Sequence, residues 1–309
     1  MKKNIIMNHR GALALCAALL AVPAITAMPP AASDGSEWEL IWSDEFDGNA
    51  MDTAKWNYHS RGGATWSRFI ADGDAARREV NRFGDGFYTP LCVKTPPSMA
   101  EGNKEMISGA INSNGKFQMR GGYIEARCRT NPHTGNFPAF WLLPVDGTGG
   151  WPVCGEIDAW EQIDDEQVAY QTLHHAMRYP KHPNSAKYFT PVSVDSTYVG
   201  CETPDIDASQ WHVYAVEWDA EHLSFFVDGK LTTTINNPHF AKGAWTEDVT
   251  WPFDKDFYVI LNQSVGNGSW AKDADHDFTY RTDFDYVRAY QKKGHTDYFT
   301  TDKGRVTSK

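Results

Sequence analysis

The sequence predicts an all-β protein, a sandwich of two bent antiparallel sheets. Apolar and aromatic residues recur at strand length and often with period two, turn residues separate these segments, and helical periodicity is nearly absent. The 309 residues are 41% hydrophobic and include 12 Trp, enough for one sizeable core with rings left over for the surface.

The segments follow in order. Residues 107–111, 123–129, 137–143 and 168–174 alternate or run apolar, as do 212–218 and 223–227. Asp228-Gly229, between Phe225-Phe-Val and Lys230-Leu-Thr-Thr-Thr, reads as a two-residue hairpin of the primed type. Residues 258–261 and 285–290 supply late strands, the second with mixed rather than clean alternation. No repeat and no second domain is evident, so 37–292 is expected to be one domain, with 28–36 a short linker and 293–309 a polar tail.

Residues 1–27 read as a signal peptide. Lys2, Lys3 and Arg10 precede an apolar run over 11–21, and Ile25-Thr-Ala27 offers a cleavage site. Pro23 and the brevity of the run weigh against a membrane anchor, and Leu15 before Cys16 weighs against a lipid anchor. The expectation is an exported, monomeric protein, periplasmic or extracellular and without membrane insertion. Cys92, Cys128, Cys154 and Cys201 remain, an even number compatible with disulfides, while their spacing rejects the usual structural zinc sites. A net charge of −11 argues against nucleic acid and anionic membrane surfaces as partners.

The chemistry concentrates in Trp151-Pro-Val-Cys-Gly-Glu156-Ile-Asp158-Ala-Trp-Glu161, where three carboxylates interrupt an apolar strand. Strand alternation puts Glu156 and Asp158 on one face and Glu161 on the other, unless a β-bulge within Ala159-Trp160 returns Glu161 to its neighbours. Three adjacent carboxylates repel, so at least one pKa should rise, setting a neutral acid beside an ionised base or nucleophile. That division of labour suits retaining glycoside hydrolysis. A solvated charged edge or a bound cation is the plainer reading of the same row.

The surroundings favour the first reading. Trp42-Ser-Asp-Glu-Phe46, Gly121-Gly-Tyr-Ile-Glu-Ala-Arg127, Pro138-Ala-Phe-Trp-Leu142, the acid run, Trp211-His-Val-Tyr-Ala-Val-Glu-Trp218, Phe226-Val-Asp-Gly229 and Asp285-Tyr-Val-Arg-Ala-Tyr290 together resemble the family 16 glycoside hydrolases. The resemblance is to the laminarinase and agarase branch with the bulged Glu-x-Asp-x-x-Glu motif. It implies a concanavalin A-like jelly roll with substrate crossing the concave sheet, Glu156 as nucleophile, Asp158 as its assistant and Glu161 as general acid/base. It places Trp141 and Trp151 in the sugar-binding walls, and Asn262, Gln263 and Trp270 on the late concave strand and its following loop. One of His174 and His175 could meet the leaving-group sugar or Glu161, a structural histidine being the other reading of each. The chemistry requires no cofactor. Glu45 and Asp285 fall where relatives hold a structural calcium, though Asp285 suits a turn or cap equally well.

For substrate, the resemblance points to an oligosaccharide or polysaccharide cleaved internally at a β-linkage. Glucan-cleaving relatives carry an Asn-Asn-Glu-Leu-Gln run where this chain has Arg77-Arg-Glu79-Val-Asn81-Arg82-Phe83. Their Ser-Ala-Arg-Ile run is replaced around Gly109-Ala110-Ile111. Residues 91–104 and 178–202 read as long irregular segments of the kind that shape subsites. The expectation therefore leans to a β-galactoside glycan, such as poly-N-acetyllactosamine of mucin or keratan type, cleaved by an endo-β-1,4-galactosidase. The alternatives are an endo-β-1,3(4)-glucanase, a transglycosylase and a non-catalytic carbohydrate-binding protein.

Overall fold

The computed structural model describes residues 38–99, 104–175, 198–237 and 251–293. The strands in chain order are β1 (Trp38–Asp44), β2 (Asn57–Tyr58), β3 (Asn81–Gly84), β4 (Phe87–Lys94), β5 (Met106–Ser108), β6 (Ala110–Asn112), β7 (Gly122–Thr130) and β8 (Asn136–Pro144). They continue with β9 (Glu156–Glu161), β10 (Val168–His174), β11 (Tyr198–Pro204), β12 (His212–Trp218), β13 (His222–Val227), β14 (Lys230–Asn236), β15 (Phe257–Val265) and β16 (Tyr280–Lys292). A 3₁₀ turn (Thr65–Ser67) and one short α-helix, α1 (Asp74–Val80), precede β3.

Two antiparallel sheets hold these strands, as expected. One runs β14-β13-β12-β7-β16-β4-β3, with β1 beside β16 and β5 beside β4; the other runs β11-β10-β9-β8-β15-β6-β2. Neighbours in the second sheet come from distant parts of the chain, so β8 lies between β9 and β15. The architecture is the jelly-roll sandwich.

Between the sheets lies a core in which Phe140, Leu142, Ile157, Ala159, Trp160 and Leu173 of one sheet meet Ile124, Tyr214, Val216, Trp218 and Phe225 of the other. The Trp160 ring stacks on Tyr214 at 4.9 Å. Each large aliphatic or phenylalanine side chain among them contributes about 1.5–3 kcal/mol through removal from water, which is why the inward period-two positions of these strands are apolar.

Several sequence expectations are refined. The segment 107–111 is two strands, because Gly109 turns the chain where its amide donates to Leu91 O, and a Cβ there would lie 2.2 Å from Val80 O. The mixed alternation of 285–290 comes from a bulge: Phe284 faces Cys128 and Tyr286 faces Arg127, leaving Asp285 as the extra residue. Asp228 and Gly229 both adopt positive φ, as a type I′ turn demands. The expected irregular segments are shorter than predicted, since Leu91–Lys94 belongs to β4 and Tyr198–Glu202 to β11. The expected signal peptide and linker, residues 178–197 and the tail beyond 293 lie outside the described residues. No helix among the described residues is long and apolar enough to cross a membrane.

No disulfide joins the four cysteines. Cys92, Cys128 and Cys154 are buried fillers, and burial pushes the Cys154 thiol up, away from nucleophilic use.

Candidate active site

The site begins with a register shift in β9. In the ladder with β8, Phe140 pairs with Trp160 and the next residue, Trp141, pairs with Asp158, so Ala159 is an extra residue. The ladder with β10 skips at the same place, between the Tyr170–Glu161 and Thr172–Asp158 pairs. Ile157, Ala159 and Trp160 therefore turn into the core, and Glu156, Asp158 and Glu161 share the opposite, concave face.

Around this row the flanking strands present their own concave positions. His174 pairs with Glu156 across β10, and its Nε2 lies 3.3 Å from Asp158 Oδ2 and 3.6 Å from Glu156 Oε1. A hydrogen-bonded loop precedes β9, in which Cys154 N donates to Gly150 O and Gly155 N to Pro152 O. It brings the exposed Trp151 indole back to donate to Glu156 Oε2 at 3.1 Å. On the far side, Trp270 projects from the loop after β15, half exposed, edge-on to Tyr170 at 5.3 Å, and its side chain hydrogen-bonds Glu161. Asp164 anchors that loop by accepting from the backbone amides of Gly135 and Lys272.

The electrostatics follow from burial and crowding. Desolvation, then repulsion by Asp158, pushes Glu161 up to about 8, against the opposing pull of His174 and the Trp270 bond. Glu156 is pushed well up by burial and by Asp158, while His174 and the Trp151 N–H pull the other way. Asp158 is pushed well up by burial. The three cannot all ionise together. Indole donors and His174 act on both glutamates, but the His174 imidazole lies 3.6 Å from Glu156 Oε1, so charge settles best on Glu156 and leaves Glu161, pushed up to about 8, protonated near neutrality.

The structure brings together Glu156, Asp158, Glu161, His174, Trp151 and Trp270, and lays Trp141 beside them as the cross-strand neighbour of Asp158. Trp141 is held by its Nε1 bond to Asn262 Oδ1 at 2.7 Å. Asn262 thus reaches the concave face as support for a ring, itself buried.

Three expectations need correction. Gln263 does not face the cleft, because it alternates with Asn262 on β15 and points between the sheets, where it donates to Asn136 Oδ1 and accepts from Thr282 Oγ1. His175 is 2% exposed, and burial pushes its pKa down to about 3, so it is a neutral interior ring rather than a sugar contact. Glu45 and Asp285 do not form a calcium pair. Arg288 donates to both oxygens of Glu45 and Arg127 pairs with Asp285, so an added cation would meet two guanidinium groups already neutralising these carboxylates.

Sequence reasoning missed Trp66 and His59. Trp66 meets Trp141 edge-to-face at 4.7 Å, its backbone carbonyl accepts from Ser264 Oγ, and His59 lies 4.9 Å from its ring. Burial pushes His59 down to about 4, so it extends the wall as a neutral ring. Tyr170 and Thr172, opposite Glu161 and Asp158, complete the floor. Strand periodicity placed 168–174, but no local motif marks Trp66, which arrives on the 3₁₀ turn Thr65–Ser67 by long-range packing.

Residues 38–292 match the family model described as "Beta-porphyranase A-D, GH16 domain". The chain is 31% identical over 260 residues to a keratan-sulfate endo-1,4-beta-galactosidase of Sphingobacterium multivorum, covering 83% of this chain and 56% of that relative. It therefore spans little more than half of that protein's length. Among solved structures, it resembles the laminarinase from Rhodothermus marinus with a TM-score of 0.68 and 30% identity, covering 82% of this chain and 97% of that one. It also resembles, at 26% identity and a TM-score of 0.66, a structure described as "Prominent members of the human gut microbiota express endo-acting O-glycanases to initiate mucin breakdown", covering 81% of this chain and 98% of that one.

Proposed function

The chain belongs to glycoside hydrolase family 16, and on that premise we propose that it is a retaining endo-β-glycosidase whose reacting groups are Glu156 and Glu161. The observation that supports the reading is the bulge at Ala159, which puts the carboxyls of Glu156 and Glu161 on one face of β9, with Glu161 pushed up to about 8. Glu156 attacks the anomeric carbon as Glu161 gives its proton to the departing glycosidic oxygen, leaving a glycosyl ester on Glu156. Glu161, now ionised, takes a proton from water, whose oxygen attacks the same carbon and releases Glu156. Asp158, between them and buried, repels charge on both glutamates, so that the three carboxyls do not all ionise together and one stays protonated to act as the acid. Glu161 serves both proton transfers, Glu156 is the nucleophile of the first displacement and water that of the second.

For substrate we propose a β-galactoside glycan of the poly-N-acetyllactosamine type. The galactosidase among the relatives and the family model's porphyranase description support it. So does the replacement of the glucanase Arg: Ala110 stands opposite Asn262 on β6 and is almost wholly buried. The laminarinase likeness favours β-1,3-glucan as the second reading. Export, expected from residues 1–27, belongs to the same proposal, because such glycans lie outside the cell. Product profiling on keratan, agarose, laminarin and mixed-linkage glucan tests the substrate. Release of galactose-terminated oligosaccharides from keratan at the highest kcat/KM is expected, and laminarin cleaved fastest overturns the galactoside reading. Heavy-oxygen water appearing at new reducing ends distinguishes hydrolysis from transfer to another sugar.

A further inference from the structure

Three donor atoms on the concave face also meet the geometric needs of a ligand other than glycan. We propose that Glu156 Oε1, Asp158 Oδ2 and His174 Nε2 form a binding site for a zinc-class divalent cation, and that the bound cation blocks the cleft to glycan. The inhibition rests on the function proposed above; the binding does not.

Glu156, Asp158 and His174 each offer one ligand atom, these atoms lie within 4.8 Å of one another, and theirs is the one such His, Cys, Asp and Glu group of three among the described residues. Metal–ligand bonds of about 2.0–2.1 Å in a tetrahedron require ligand–ligand edges of roughly 3.3–3.4 Å. The two edges at His174 are 3.3 and 3.6 Å, so small side-chain movements close the figure. Asp158 Oδ2 is the second observation. It is a buried acceptor that receives no hydrogen bond, on a residue only 3% exposed, and it faces the imidazole. Its neighbour is the imidazole at 3.3 Å, out of hydrogen-bonding alignment, and a cation held between the two would satisfy the buried oxygen directly. Glu156 divides its two oxygens: Oε2 holds the Trp151 indole, while Oε1 is the one turned toward His174.

The donor chemistry narrows the ion. One imidazole with two carboxylates suits zinc, cobalt or nickel, whereas calcium and magnesium prefer oxygens alone and more of them. The adjacent Trp151 side of the site is open to solvent, leaving a fourth position for water. A cation there takes the Oε1 lone pair of Glu156, so glycan and metal compete.

The test uses the full chain stripped with a chelator. Titration with Co²⁺ in the absence of glycan should give the intense visible absorption of a four- or five-coordinate ion at one equivalent, and Zn²⁺ should displace it. His174→Gln and Asp158→Asn should each weaken Zn²⁺ binding at least tenfold by calorimetry, with thermal melts confirming that each variant folds. His276→Ala, at a surface pair with Glu105, should leave binding unchanged. In the active protein, Zn²⁺ should raise the apparent KM without lowering kcat. A Co²⁺ spectrum that stays octahedral, or Zn²⁺ affinity unchanged in both folded site variants, overturns the site. Binding is read without substrate, so a chain that binds Co²⁺ but cleaves no glycan sinks the hydrolase reading and leaves the site standing.

Discussion

Replacing Trp270 by Phe should move the basic limb of the kcat/KM profile upward. The indole hydrogen-bonds the Glu161 carboxyl and favours its ionised form, so its loss raises the pKa of the proton donor above about 8. A hydrogen bond to a charged group is worth about 1.5–3 kcal/mol when buried, and competition from water at this exposed ring lowers that to about 1 kcal/mol. Trp270 is 47% exposed, which is the reason for the discount. At 1.36 kcal/mol per pH unit, the limb should rise by about 0.7 unit. The ring is a loop residue with little core burial, so the melting temperature should hardly change. The assay is kcat/KM against pH on the natural glycan and on an aryl glycoside with a good leaving group, whose first step needs little protonation. The natural glycan should show the shifted limb and the aryl glycoside a weakened one. A limb that stays in place or moves to lower pH on the natural glycan would refute the indole's part in holding Glu161.

Other outcomes test the roles and the fold separately. Glu156→Ala should abolish turnover, with azide restoring it as the inverted glycosyl azide; absence of rescue would question the nucleophile. Glu161→Gln should lose at least about 10²-fold on the natural glycan while sparing the first step of an activated aryl glycoside, as burst kinetics would read. Gly200→Ala on β11 should lower stability by about 1–3 kcal/mol in a thermal melt. Its Cβ would lie 2.2 Å from the Gln171 carbonyl oxygen in the neighbouring strand. His212→Asn should flatten the dependence of melting temperature on pH. The bond that His212 Nδ1 donates to Asp228 raises the His212 pKa despite burial, so that contribution is present below the ordinary 6.5 and fades as pH rises through the higher folded value. Burial pushes Asp228 up, but the His212 bond brings it below 3.8 overall, so its share is present above 3.8 and fades as pH falls through the lower folded value. Because Asp228 is well exposed, the pair is worth less than about 1 kcal/mol.

Much of the site was legible because its logic is local. Glu156, Asp158 and Glu161 lie within six residues, and alternation together with the need to keep Trp160 in the core leaves a bulge as the economical arrangement. The neighbouring strands were legible for the same reason. Gln263 was misplaced because one residue of register separates a cleft face from the space between sheets, and Asn262 and Gln263 are both amides that either environment accepts. His175 went the same way one residue after His174. Glu45 and Asp285 look like cation ligands until the sandwich delivers Arg288 and Arg127 to them.

By itself, then, the amino-acid order determined the strand period, the hairpin at Asp228-Gly229 and the clustering of three acids, because each is a relation between residues a few positions apart. Tertiary structure alone decided that Trp66 stands against Trp141, that Trp270 reaches Glu161 and that the sheet edge folds His174 over Asp158. Those relations depend on loops closing over tens to hundreds of residues, and burial of apolar surface, which drives the closure, does not record which polar partners it brings together.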